Sequence, residues 1–121
     1  MDSKKTLVLG ASLNPERTAY TAVQRLRANG VPVVAIGGKA GMLQDVSIGT
    51  EPLPFDDVHT VTVYLSPENQ KGYYDYIFSL RPKRIIFNPG TENEELIAAA
   101  EKQGIEALRA CTLVMLSLGI Y

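Results

Sequence analysis

The chain has 121 residues, enough for one domain of about 100 to 150 residues with its own core and too few for a second. Apolar residues make up 45% and charged residues 21%, ordinary globular proportions that argue against a disordered or fibrous class. Twelve basic residues face thirteen acidic ones with no run of like charge. Broad attraction to nucleic acid or to a membrane surface is therefore not expected, and any anion must be met locally.

Met1-Asp2-Ser3-Lys4-Lys5 lacks the apolar region of a signal peptide, and the single cysteine, Cys111, has no internal partner for a disulfide. Both features point to a reducing cytoplasm. Thr6-Leu7-Val8-Leu9-Gly10-Ala11 is a nearly continuous apolar run, the pattern of a strand covered on both faces in a parallel sheet. Over residues 18–29, Ala19, Ala22, Val23 and Leu26 recur at i, i+3, i+4 and i+7, which predicts a helix that Gly30 stops. A second apolar strand covers residues 32–37 and runs into Gly37-Gly38-Lys39. Residues 42–58, with Pro52 and Pro54, read as a connection holding a short edge strand near residues 46–48.

The β-branched stretch over residues 60–65 predicts the next strand. Ser66-Pro67 then sets an N-cap and a first helical proline for a helix reaching about Leu80. Strand residues 84–88 lead into Pro89-Gly90, and Thr91-Glu92-Asn93-Glu94 fits a capping box with Thr91 as the cap. That helix stops at Gly104, a strand covers residues 105–109, and the apolar tail from Leu113 to Tyr121 is too short to cross a bilayer. A docked helix or an oligomer contact accounts for it better. The alternation predicts an α/β fold: a Rossmann-like, doubly wound parallel sheet of about five strands, right-handed crossovers, helices on both faces, and a single domain over residues 1–121.

In such sheets the ligand lies beyond the carboxyl ends of the strands, where strand order reverses. The first turn is the most informative of these ends. Gly10 permits close backbone approach, Ser12 offers a hydroxyl, Arg17 offers a bidentate cation, and the amides opening the next helix favour an anion. Gly10 and Arg17 also have a plain structural explanation, with Gly10 only permitting strand-helix packing and Arg17 a solvated surface charge. The turn reads Gly-Ala-Ser-Leu-Asn-Pro rather than Gly-x-Gly-x-x-Gly, and no acid ends the second strand, which counts against NAD. Lys39 in that place suits a ribose phosphate, the 3′-phosphate of coenzyme A or the 2′-phosphate of NADP; as an exposed loop lysine it would have no such role.

Val8-Leu9-Gly10-Ala11-Ser12, Asn14-Pro15-Glu16-Arg17 with Tyr20, Asn88-Pro89-Gly90 and Arg109-Ala110-Cys111 together resemble the small stand-alone CoA-binding domain proteins. Those proteins are similar to the N-terminal CoA-binding domain of the succinyl-CoA synthetase alpha subunit. The resemblance spans nearly the whole chain and implies coenzyme A as the ligand. It implies pyrophosphate contacts from Gly10, Ala11, Ser12, Arg17 and Thr18. Adenosine-side contacts would come from Gly37, Gly38 and Lys39 and from Tyr64, Ser66 and Pro67, with Asn88 and Gly90 lining the way to the pantetheine. Two positions depart from the family, which commonly has Asn-Pro where this chain has Gly37-Gly38 and Cys-Pro where it has Cys111-Thr112.

A catalytic constellation is not evident. Cys111 invites a mixed disulfide with a ligand thiol, yet a lone cysteine in an apolar setting is more often core filler. The sequence around His59 lacks metal or triad spacing, so a capping or surface role is expected for it, and the adjacent pairs Asp56-Asp57 and Glu94-Glu95 cannot face one another as an acid/base couple. The leading expectation is a CoA or acyl-CoA binding protein without catalysis of its own, open to a regulatory role, a homo-oligomer or an unidentified protein partner. The alternative is a small NADP- or nucleotide-dependent reductase or transferase.

Overall fold

The computed structural model describes residues 4–121, so the leader reading of Met1, Asp2 and Ser3 lies outside the described residues. In chain order the elements are β1 (Thr6–Ala11), α1 (Thr18–Ala28), β2 (Val33–Gly37), β3 (Gly41–Leu43), β4 (Val46–Gly49), β5 (Thr60–Val63) and α2 (Pro67–Gln70). A 3-10 turn (Lys71–Tyr73), α3 (Tyr74–Ser79), β6 (Arg84–Phe87), α4 (Glu94–Lys102), β7 (Glu106–Arg109) and α5 (Thr112–Ser117) complete the chain. The sheet runs β3-β4-β2-β1-β5-β6-β7, every pairing being parallel except the β3–β4 hairpin at one edge.

The doubly wound fold is as expected, with seven strands in place of about five. β4 falls where the short edge strand near residues 46–48 was expected, and β3 is the further addition, taking the edge by folding back on β4 through Gln44 and Asp45. Gln44 takes a positive φ of 54°, unusual for its type, so the turn lacks the Asn-Gly or Asp-Gly signature that marks short hairpins. Arg27 at the end of α1 secures the turn with a fork of hydrogen bonds to the Asp45 carboxylate. Two helical expectations also change. Residues 66–80 are not one helix, because the 3-10 turn around Gly72 separates α2 from α3. The cap of α4 is Asn93, whose side chain accepts from Leu96 N, while the Thr91 hydroxyl donates back to the Asn88 carbonyl.

Neighbouring residues on β1, β5 and β6 point to opposite faces and nearly all are buried, which explains the unbroken apolar runs. On one face Leu7, Leu9, Val61, Val63, Ile85 and Phe87 pack with Ile77 of α3 and Leu96, Ile97 and Ala100 of α4. On the other, Val8, Ala35 and Ile48 pack with Val23 and Leu26 of α1, and Leu116 of α5 joins them. Thr6, Thr60 and Arg84 align in register across β1, β5 and β6 on this second side and are buried. Tyr121 closes over them: its hydroxyl meets the Thr6 hydroxyl at 2.5 Å and its ring lies 4.4 Å from the Arg84 guanidinium carbon. The tail is thus docked, leaving Val114, Leu118 and Ile120 exposed.

Candidate functional site

Strand order reverses between β1 and β5, and there the two strands carry their chains to opposite sides of the sheet. A cleft of about 870 Å³ opens at their carboxyl ends. Gly10, Ser12, Glu16, Arg17 and Thr18 form one wall, Tyr64, Leu65, Ser66 and Asn69 a second, and Asn88, Pro89, Thr91 and Cys111 a third. A hollow of about 1010 Å³ lies at the opposite end, between the loops entering β6 and β7. Helix C-termini approach that hollow, so its backbone dipoles oppose an anion, whereas the β1–β5 cleft receives the N-terminus of α1.

Three short bonds build the turn below α1. Asn14 N donates to Ser12 Oγ, Glu16 N to Asn14 Oδ1, and Arg17 N to the Asn14 carbonyl, at 3.0 Å each. Arg17 is the N-cap residue, yet its side chain does not cap, and no acid occupies the first helical turn. The eleven-residue α1 therefore presents uncapped amides to the cleft, with the exposed Arg17 beside them. This is the chemistry that favours an anion. Glu16, also exposed on this wall, is the one acid there.

The role of Gly10 is sharper than the sequence suggested. It has a φ of +98°, and a Cβ would stand 2.9 Å from the Tyr64 carbonyl carbon and 3.1 Å from Leu65 N. The close backbone approach that it permits is that of the β5 end to the β1 end. Gly37 behaves likewise, since a Cβ there would lie 2.2 Å from the Ala11 carbonyl oxygen. Gly10 closes the sheet at the switch point, between β1 and β5, and Gly37 closes it one strand away, between β2 and β1.

Of the anticipated site residues, Gly10, Ser12, Arg17, Thr18, Tyr64, Ser66 and Asn88 line the cleft. Ala11 is buried in β1, and Gly37, Gly38, Lys39, Pro67 and Gly90 lie outside the lining. The Asn88 side chain is committed internally: Nδ2 donates to Thr62 Oγ1 and the Val63 carbonyl, and Oδ1 accepts from Thr112 N. Asn69 and Thr91 were not anticipated: Asn69 reaches the wall from α2 and Thr91 from the loop after β6. Cys111 reaches the cleft as the residue before α5.

Tyr64 turns inward from this wall. Its hydroxyl is enclosed without a hydrogen-bond partner among the described residues. Burial pushes its pKa up to about 12, against the lowering influence of the nearby Thr112 and Thr62 hydroxyls. Those two are bonded to each other at 2.8 Å. Tyr64 therefore remains a neutral phenol at ordinary pH. Among the described residues no cluster of three His, Cys, Asp or Glu side chains is placed to hold a metal ion, and no helix is long and apolar enough to cross a membrane.

The family model for the CoA binding domain matches residues 4–117. The chain belongs to the CoA-binding domain family. This CoA-binding domain is similar, at 47% identity and a TM-score of 0.95 over 100% of both chains, to a crystal structure of an uncharacterized protein. A hypothetical protein from Pyrococcus horikoshii OT3 matches at 23% identity and a TM-score of 0.84, covering 93% of this chain and 80% of that one. The cell-free ID.343 structure from Thermus thermophilus matches at 20% identity and a TM-score of 0.86, covering 98% and 91%. At such identities the last two establish the shared fold alone. No curated protein matches the CoA-binding domain.

Proposed function

We propose that the β1–β5 cleft binds coenzyme A or an acyl-CoA, with the pyrophosphate on the turn of residues 10–18, and that the protein acts by binding rather than by a reaction of its own. The observation that carries this is the uncapped, acid-free N-terminus of α1 opening into the cleft beside Arg17 in a member of the CoA-binding domain family. Backbone amides of the first helical turn take phosphate oxygens, and the guanidinium adds a charge-assisted fork. The adenosine end runs toward β2, where residues 37–39 follow the neighbouring strand. The start of β3, just beyond that loop, stays close to the turn, since a Cβ on Gly41 would meet the Leu13 side chain at 2.6 Å. Lys39 there receives the 3′-phosphate.

A binding role, with regulation through a partner as its outlet, is supported by the state of the two reactive groups in the cleft. The Cys111 thiol has no hydrogen-bonded base among the described residues, and the Tyr64 phenol is held in its protonated form. Calorimetric titration with CoA, dephospho-CoA, acetyl-CoA and NADPH tests the proposal. CoA and acetyl-CoA bind, dephospho-CoA binds more weakly, and NADPH does not compete. Arg17→Ala weakens CoA by about tenfold to a hundredfold, the value of one charged hydrogen bond. No heat with CoA up to millimolar concentration sinks the proposal, and selective NADPH binding replaces it with the reductase alternative.

A further inference from the structure

The second and third walls of the cleft are joined beneath the surface by one carboxamide. Gln70 ends α2 and is fully buried, a state in which an amide persists only when its polar atoms are met. Its Nε2 donates to the carbonyl oxygens of Leu65, at 2.9 Å, and of Thr91, at 2.8 Å. Its Oε1 accepts from Asn93 Nδ2 at 3.0 Å, and that same nitrogen donates to the Tyr74 hydroxyl at 2.8 Å. Leu65 belongs to the loop after β5 and Thr91 to the loop after β6. Both residues line the cleft.

The β5–β6 ladder ends at the pair Val63 and Phe87. Beyond that pair the loops hold their spacing through side chains. Asn88 Nδ2 ties the base by its bond to the Val63 carbonyl, and Gln70 ties the segments further along each loop. The task demands this residue type. Two carbonyl oxygens need two N–H donors, and Asn93 needs an acceptor; a carboxylate supplies no donor and an aliphatic chain supplies neither.

We propose that Gln70 is a positioning residue, a clasp that holds the two loops at the separation the bound ligand requires before the ligand arrives. A wall ordered in advance removes an entropy cost from binding, so loosening it lowers affinity without removing any ligand contact. The identity of the ligand rests on the CoA reading above, whereas the clasp is a property of the ligand-free protein.

The test compares the parent with Gln70→Met, which retains chain length and volume and removes the polar atoms. In the ligand-free variant, amide hydrogen exchange over residues 64–66 and 90–92 rises together by about tenfold, while α1 exchanges as in the parent. CoA binds the variant about tenfold more weakly, and inorganic pyrophosphate, confined to the turn at residues 10–18, binds both proteins alike. Faster exchange in one loop alone or throughout the protein, or equal losses for CoA and pyrophosphate, overturns the clasp. A parent that fails to bind CoA removes the ligand reading and leaves the exchange measurement to decide the clasp. Should Gln70→Met not fold, the parent carries the test: its Gln70 Nε2 protons exchange about a hundredfold more slowly than those of the exposed Gln103. Equal rates there overturn the proposal.

Discussion

Gly10 is held to its identity by two independent demands, a φ that disfavours side chains and a backbone neighbour inside the reach of a Cβ. Gly10→Ala accordingly costs about 2 to 4 kcal/mol of folding stability, measured by denaturant unfolding. Gly38 is the control, since its φ is not positive and a Cβ there meets nothing within 4 Å. Gly38→Ala stays within about 0.5 kcal/mol of the parent. Equal effects at the two positions would contradict the strand contact. Sequence inspection found Gly10 but could not tell a phosphate neighbour from the chain's own Tyr64, because either would call for a residue without Cβ. Tyr64 itself makes a prediction with a definite sign. Its pKa rises from 10.0 in the unfolded chain to about 12 in the fold, so the folded state holds the proton more tightly. That contribution is fully present below pH 10 and is lost as pH rises through 12. The rise corresponds to about 2 to 3 kcal/mol. Tyr64→Phe flattens part of the alkaline loss in urea titrations between pH 9 and pH 12, and only part, because burial and Tyr73 raise Tyr76 in the same direction. An unchanged alkaline limb removes Tyr64 from the account.

At the scale of elements, the helix starts reveal how far local sequence carries. Thr91 and Glu94 have the spacing of a capping box, but the Thr91 hydroxyl serves the Asn88 carbonyl and Glu94 pairs with Arg109 on the adjoining strand. Asn93 takes the cap because its carboxamide can meet Leu96 N while donating to Gln70 and Tyr74. Such a choice depends on what α2 and α3 bring near, which local spacing does not encode. Asn93→Ala loses the cap and leaves the Gln70 oxygen without its donor, and it lowers stability by about 2 kcal/mol in thermal or chemical unfolding. Thr91→Ala loses a single hydroxyl bond and costs about half as much. The reverse ranking restores the capping box. The β3–β4 hairpin escaped for a related reason. Its turn uses Gln44 at positive φ, and its support comes from Arg27, eighteen positions before Asp45.

Across the whole molecule, the parallel layers were legible because strands buried on both faces leave unbroken apolar runs, and the first two runs end in small residues, Gly10-Ala11 and Gly37-Gly38. The order of strands was legible only as a rule, since right-handed crossovers fix the hand but not which edge receives the hairpin. Seven strands still place the reversal between β1 and β5, so the turn at residues 10–18 and the loop at residues 64–66 meet whichever edge is extended. Lys39 and its glycines follow β2, one strand beyond the switch point, and they can join the site only through a ligand long enough to cross the end of β1. Coenzyme A has that length, and a simple phosphate does not. A ligand spanning the β1, β5 and β6 ends would hold both halves of the sheet together and stabilise the fold as a unit. At a concentration of about 100 times Kd it adds about 2.7 kcal/mol, an increase in Tm of about 10 °C for a domain of this size. The same concentration of pyrophosphate, far below its own Kd, leaves Tm unchanged. Differential scanning fluorimetry with CoA, dephospho-CoA and pyrophosphate reads the contrast directly. Equal shifts for CoA and dephospho-CoA remove Lys39 from the site, and equal shifts for all three confine the ligand to the α1 turn.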